Sequence, residues 1–121
     1  MATGTITKDI KLLWTNPNPA SAFASQTISL DLSKYRFVDV ILKTNYSTTN
    51  HCIHRALVSN AGSKCFCCEP IPTNNGVVYS RDRNFTVTST GVAFDDAREQ
   101  TTSSLSVNNN YMVPTAIYGI Q

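Results

Sequence analysis

Apolar and polar residues alternate in short runs along most of this chain. That period limits what it can fold into, because only an extended strand puts residues i and i+2 on one face. Ile6, Ile10, Leu12 and Trp14 alternate with Thr5, Thr7, Asp9 and Lys11, while Lys8 and Leu13 interrupt the pattern and mark a bulge or an exposed edge. Ile28, Leu30 and Leu32 repeat it against Ser29, Asp31 and Ser33. In "RFVDVILKT" both faces are largely apolar, with Val38, Val40 and Leu42 on one and Phe37 and Ile41 on the other. Such a strand is expected at the centre of a sheet and covered on both sides. Further runs are "VVYSR", "RNFTVTST", a short piece around Val92 and Phe94, and the closing "YMVPTAIYGIQ". Glycine- and asparagine-rich breaks separate them, giving about eight short strands. The expectation is an all-β chain, an antiparallel β-sandwich of jelly-roll-like form, with residues 1–121 as one domain. Only "DDAREQTTSSLSVNNN" reads as loop-like or weakly helical.

The surface chemistry narrows the class. Charged residues are 15% of the chain, and Ser, Thr and Asn together make about a third. Solubility therefore rests on neutral hydrogen-bonding groups, as in many extracellular β-proteins and virion proteins. A net charge of +2 without a basic run argues against a nucleic-acid partner. No apolar run approaches a membrane span, and the opening "MATGTITKDI" lacks a basic-then-apolar leader. If the protein works outside a cell, its exit is then expected by assembly or lysis and not by secretion.

The stretch "LLWTNPNPASAFASQ" (residues 12–26) reads either as a linker or as a corner. Pro17 and Pro19 restrict their own φ and bias the preceding residues to extended geometry, and Asn16 and Asn18 can bond nearby backbone. Trp14 and Phe23 are large apolar anchors that a free linker would not carry. A stiffened corner with both aromatics tucked under the sheet is the expected outcome.

The same stretch, continued through "TISLDLSKYRFVDVILK", together with "RDRNFTVTSTGVAFDDA" and the terminal "VPTAIYGIQ", resembles small domains encoded in tail and fibre gene regions of bacteriophages and prophages. The resemblance implies a β-sandwich virion module at or near a fibre tip, commonly a homotrimer. Its partners would be other virion proteins and a host-surface glycan or protein. Such modules are structural or adhesive, so no enzymatic activity and no cofactor are expected. The other readings kept open are a stand-alone glycan-binding module and a metal-binding hairpin protein.

The middle of the chain departs from that family. His51, Cys52, His54, Cys65, Cys67 and Cys68 fall on two arms of an expected hairpin around residues 59–62, which would set His54 opposite Cys67. Cys52 and His54 then share one face, and so do Cys65 and Cys67, which makes His54, Cys52, Cys65 and Cys67 candidate zinc ligands. The C-x-C-C spacing counts against a metal, and a disulfide from Cys52 requires oxidising conditions. Free cysteines packing as small hydrophobes is the favoured reading. Arg81 and Arg83 read as a solvated strand edge, and with Tyr46 and Tyr79 they form the candidate ligand surface; Tyr111 is a further exposed candidate. Asp95 and Asp96 are adjacent and would face opposite ways, suiting a turn better than paired acid–base chemistry.

Overall fold

The computed structural model describes residues 10–72 and 78–121; Ile6 and its neighbours lie outside the described residues. The chain forms ten strands: β1 (Ile10–Thr15), β2 (Gln26–Ser29), β3 (Phe37–Asn45), β4 (His51–Leu57), β5 (Ser63–Pro72), β6 (Val78–Thr88), β7 (Gly91–Phe94), β8 (Arg98–Gln100), β9 (Leu105–Val107) and β10 (Tyr111–Ile120). Every pairing is antiparallel. One sheet has the order β1-β10-β3-β4; the other runs β2-β7-β6-β8-β9, with β5 also paired to β6. The path winds between the sheets at β1–β2, β2–β3, β4–β5 and β9–β10. The fold is an antiparallel β-sandwich, as the alternation implies.

Between the layers, Val38, Val40 and Leu42 of β3 and Val113 and Ile117 of β10 join Phe85 and Val87 of β6 and Val92 and Phe94 of β7 in one buried cluster. Burial of these apolar groups is the dominant stabilising term, at about 1.5–3 kcal/mol for each fully covered large side chain. At the β6–β7 hairpin, Gly91 has φ of 152°, and a Cβ there would lie 2.3 Å from the Ile28 carbonyl oxygen. Only glycine admits that approach of β2 to the turn.

Two features differ from the pattern read in sequence. The segment "DDAREQTTSSLSVNNN" contains the short hairpin β8–β9. Its register sets Arg81 against Glu99 and Asp82 against Arg98, so charge pairs rather than apolar alternation hold β8 to β6. In β1 the register shifts between Leu12 and Trp14, which turns both Leu13 and Trp14 toward the core and leaves Ile10 and Leu12 exposed. That is the bulge signalled by Leu13, and it reverses the facing of the first half of the strand.

The stretch after β1 is a fixed corner. Asn16 is buried and holds both ends: its N–H donates to the Thr115 carbonyl at 2.8 Å, and Nδ2 donates to the Pro114 carbonyl at 2.8 Å. Its Oδ1 accepts from the Asn18 N–H at 2.8 Å, an Asx turn. Pro17 and Pro19 face solvent, so their part is confined to narrowing φ. Phe23 is buried at 5% exposure and meets Phe94 and Trp14 edge-on, with centroids 5.4 and 6.1 Å away. Trp14 is only half-buried, against the expectation that both aromatics lie under the sheet. Phe23, as the deeper anchor, carries the test. Phe23→Ala should cost about 3–5 kcal/mol in a urea titration; a loss below about 1 kcal/mol would mean that the corner is loosely held.

Candidate functional site

By period two, Arg83 belongs on the inward face of β6 with Phe85 and Val87, and there it sits. It is 0% exposed, the largest fully buried side chain. A buried guanidinium must have its N–H groups satisfied. Nε donates to the Met112 carbonyl at 2.7 Å, Nη1 to the Asp95 carbonyl at 2.7 Å, and Nη2 to the carbonyls of Phe23 at 2.8 Å and Tyr111 at 3.3 Å. The Phe23 ring lies 5.3 Å below the guanidinium carbon. Burial pushes the Arg83 pKa down to about 10, while Asp96 and Asp95 act to raise it, so the group stays cationic at neutral pH. Arg83 is therefore a core clamp; the reading of it as solvated edge or ligand surface is corrected by its burial.

Two local devices serve this clamp. Successive carbonyls of an extended strand point to opposite sides, yet those of Tyr111 and Met112 both reach Arg83. Met112 has a left-handed φ of 47°, rare for a residue with a Cβ, and this turns the two carbonyls the same way. Asp96 accepts from the Ser25 N–H and the Asn109 Nδ2, both at 2.9 Å. The bonds from Ser25 and Asn109 hold its carboxyl below the usual range, against desolvation, with Arg83 helping. Asp96 thus ties the corner to the turn before β10. Asn16 and Asn109 carry none of the apolar signal that marks core residues, the left-handed turn at the apolar Met112 has no marker in the sequence, and sequence reasoning misses the roles of Asn109 and Met112 altogether.

The rest of the candidate ligand surface is dispersed. Arg81 pairs with Glu99 at 3.0 Å and stacks its guanidinium 3.7 Å from the Tyr111 ring centroid. Tyr111 is half-buried against the core and is not the exposed group expected. Tyr46 is exposed, beyond the β3 end, and the side chain of Tyr79 lies outside the described residues.

At the other side of the sandwich, the cysteine–histidine segment is not a hairpin. β4 pairs with β3 and β5 with β6, so the two arms belong to different sheets joined across residues 58–62. Their inward faces meet across the core. Cys67 Sγ lies 3.3 Å from His54 Nδ1, and the His54 ring packs edge-on against Phe85. His54 and Cys67 are therefore neighbours as expected, but through face-to-face layer packing and not through a ladder. Cys52, His54, Cys67, Cys68 and Met112 line a cavity of about 190 Å³.

All four cysteines carry free thiols, Cys67 buried, Cys52 and Cys65 partly covered, Cys68 exposed. Among the described residues no three His, Cys, Asp or Glu side chains are grouped to hold a metal ion. Burial first, then Cys52 and Cys65, pushes the Cys67 thiol up to about 12, so it remains protonated and packs as a small apolar group. Alkylation with iodoacetamide at neutral pH, followed by peptide mass mapping, should label Cys68 first and Cys67 only after denaturation. Labelling of Cys67 in the native protein at the Cys68 rate would contradict this assignment.

These observations define an all-β sandwich whose inward-turned ionisable groups hold its frame together. No family model matches the chain, and no curated protein or solved structure matches it.

Proposed function

We propose that this chain is a non-enzymatic structural module of a bacteriophage or prophage virion, associated with the tail or fibre. The observation that carries the reading is the use of its charged side chains. Arg83 binds four backbone carbonyls, Asp96 ties the corner to the β9–β10 turn, and Arg81, Asp82, Arg98 and Glu99 pair across strands. Groups that a catalytic or glycan site would present to a substrate are here committed to the scaffold. A surface rich in neutral hydroxyl and amide groups suits a particle component that must stay soluble until it assembles. The three segments that resemble phage tail modules also supply this frame: the first gives Asn16 and Phe23, the second Arg83 and Asp96, and the third the Pro114 and Thr115 carbonyls that Asn16 holds.

The test is immunogold electron microscopy of phage particles induced from the source strain, using antibody raised against the purified chain. Gold at the tail or its tip is the expected result. Particles that bear no label, while the protein is detected in the soluble lysate, would contradict a virion role.

A further inference from the structure

The commitment of charged groups to the scaffold stops at one place, the outer face of the sheet where β5, β6 and β7 meet. Period two turns Cys65, Cys67 and Phe85 inward, so Lys64 and Phe66 of β5 and their register partners Thr86 and Asn84 of β6 point outward. Asp95 continues the row past β7, its N–H donating to the Asn84 carbonyl at 2.9 Å. These five residues line a half-open cavity of about 320 Å³, which is within the range of small-ligand sites. Asp82, one row along on the same face, is closed off by Arg98 at 2.9 Å. At the cavity the charges stay open. The three ion pairs among the described residues leave out both Lys64 and Asp95. Asn84 Oδ1 is shielded from solvent and has no donor, an unfavourable state that an amide turned toward a ligand hydroxyl would relieve.

We infer that this cavity is a binding site for a neutral sugar unit. The lining selects that class. Lys64 and Asp95 carry opposite charges, so the cavity has no formal net charge and favours neither an anion nor a cation. They stand on opposite walls, because β5 and the chain beyond β7 lie two strand spacings apart, about 9–10 Å. A ligand that meets both must carry polar groups at its two ends, as a sugar ring does around its rim. Sugar hydroxyls both donate and accept. They match the Lys64 donor, the Asp95 acceptor, and the amide of Asn84 and hydroxyl of Thr86, which do either. Phe66, 55% exposed, supplies the apolar surface beside them. Its electron-rich ring face suits the C–H face of a sugar. The site uses none of the charged side chains that brace the frame, and it does not depend on a virion role.

The experiment is a titration of the isotope-labelled whole chain with glucose, galactose, rhamnose, N-acetylglucosamine and N-acetylgalactosamine, read by backbone amide NMR shifts. At least one of these sugars should give saturable shifts centred on residues 64–66, 84–86 and 95. Phe66→Ala should weaken that binding about tenfold or more. Asn84→Ala and Asp95→Asn should weaken it too, and neither removes a side-chain bond that holds the frame. Val107→Ala, at an exposed apolar position on β9 of the same sheet, should leave it unchanged. An unchanged melting temperature verifies that each variant is folded. Absence of saturable shifts with all five sugars would overturn the inference. So would shifts centred elsewhere, binding indifferent to Phe66→Ala, or the same shifts from the zwitterion glycine. Binding is read on the purified chain, so it stands or falls apart from whether antibody labels a particle.

Discussion

The guanidinium of Arg83 is the interaction on which the remaining structure depends. It stands in the centre of a β-sandwich without a carboxylate in direct contact, and its charge is met by backbone carbonyls of Phe23, Asp95, Tyr111 and Met112. An unpartnered buried cation would cost several kcal/mol, so these carbonyls must be delivered to it accurately. They come from three irregularities: Phe23 from the corner after β1, Asp95 from the end of β7, and Tyr111 and Met112 from the left-handed start of β10. Irregular backbone carries polar groups that no ladder satisfies, and one five-donor side chain satisfies several of them together. Cation and loops each supply what the other lacks.

This arrangement explains why the proline-rich corner is rigid. Its prolines are exposed, while Asn16 pins it to β10, Phe23 wedges it against Phe94, and the Phe23 carbonyl caps Arg83. Asp96 adds a further strut through Ser25 and Asn109. One edge of the sandwich is thus knit by polar contacts. The opposite edge, where β4 faces β5, is closed by His54, Cys67 and apolar packing. Cys52, Cys65 and Cys67 serve there as small, weakly polar filler.

Much of the fold was legible because period two depends on local sequence alone. The alternation at Val38, Val40 and Leu42 and at Phe85 and Val87 located core strands, and Leu13 marked the β1 bulge. β8 is invisible in the sequence because it meets β6 through Arg98–Asp82 and Glu99–Arg81, a signal that exists only once β6 is alongside, and β9 is a three-residue exposed strand that pairs with β8. The 51–69 segment reads as one hairpin because a turn flanked by two strands looks the same in sequence whether they pair or pass between layers. Residue type misleads at Arg83. Two steps back from Phe85 and Val87 the alternation already placed it inward, but a charged side chain is seldom fully buried. The left-handed Met112 carries no sequence signal, since its conformation follows from the carbonyls' distant partner.

The proposed virion role rests on this frame holding its shape, and the frame in turn rests on Arg83. The most direct measurement is the unfolding free energy of Arg83→Met, by urea titration at neutral pH. Methionine keeps much of the apolar stem and the volume but leaves the four carbonyls without donors, so a loss of about 3–5 kcal/mol is predicted. Arg83→Lys should recover only part of it, because one ammonium cannot match the planar fork. An Arg83→Met protein within about 1 kcal/mol of the parent would contradict the account, since the sandwich would then stand without its central clamp.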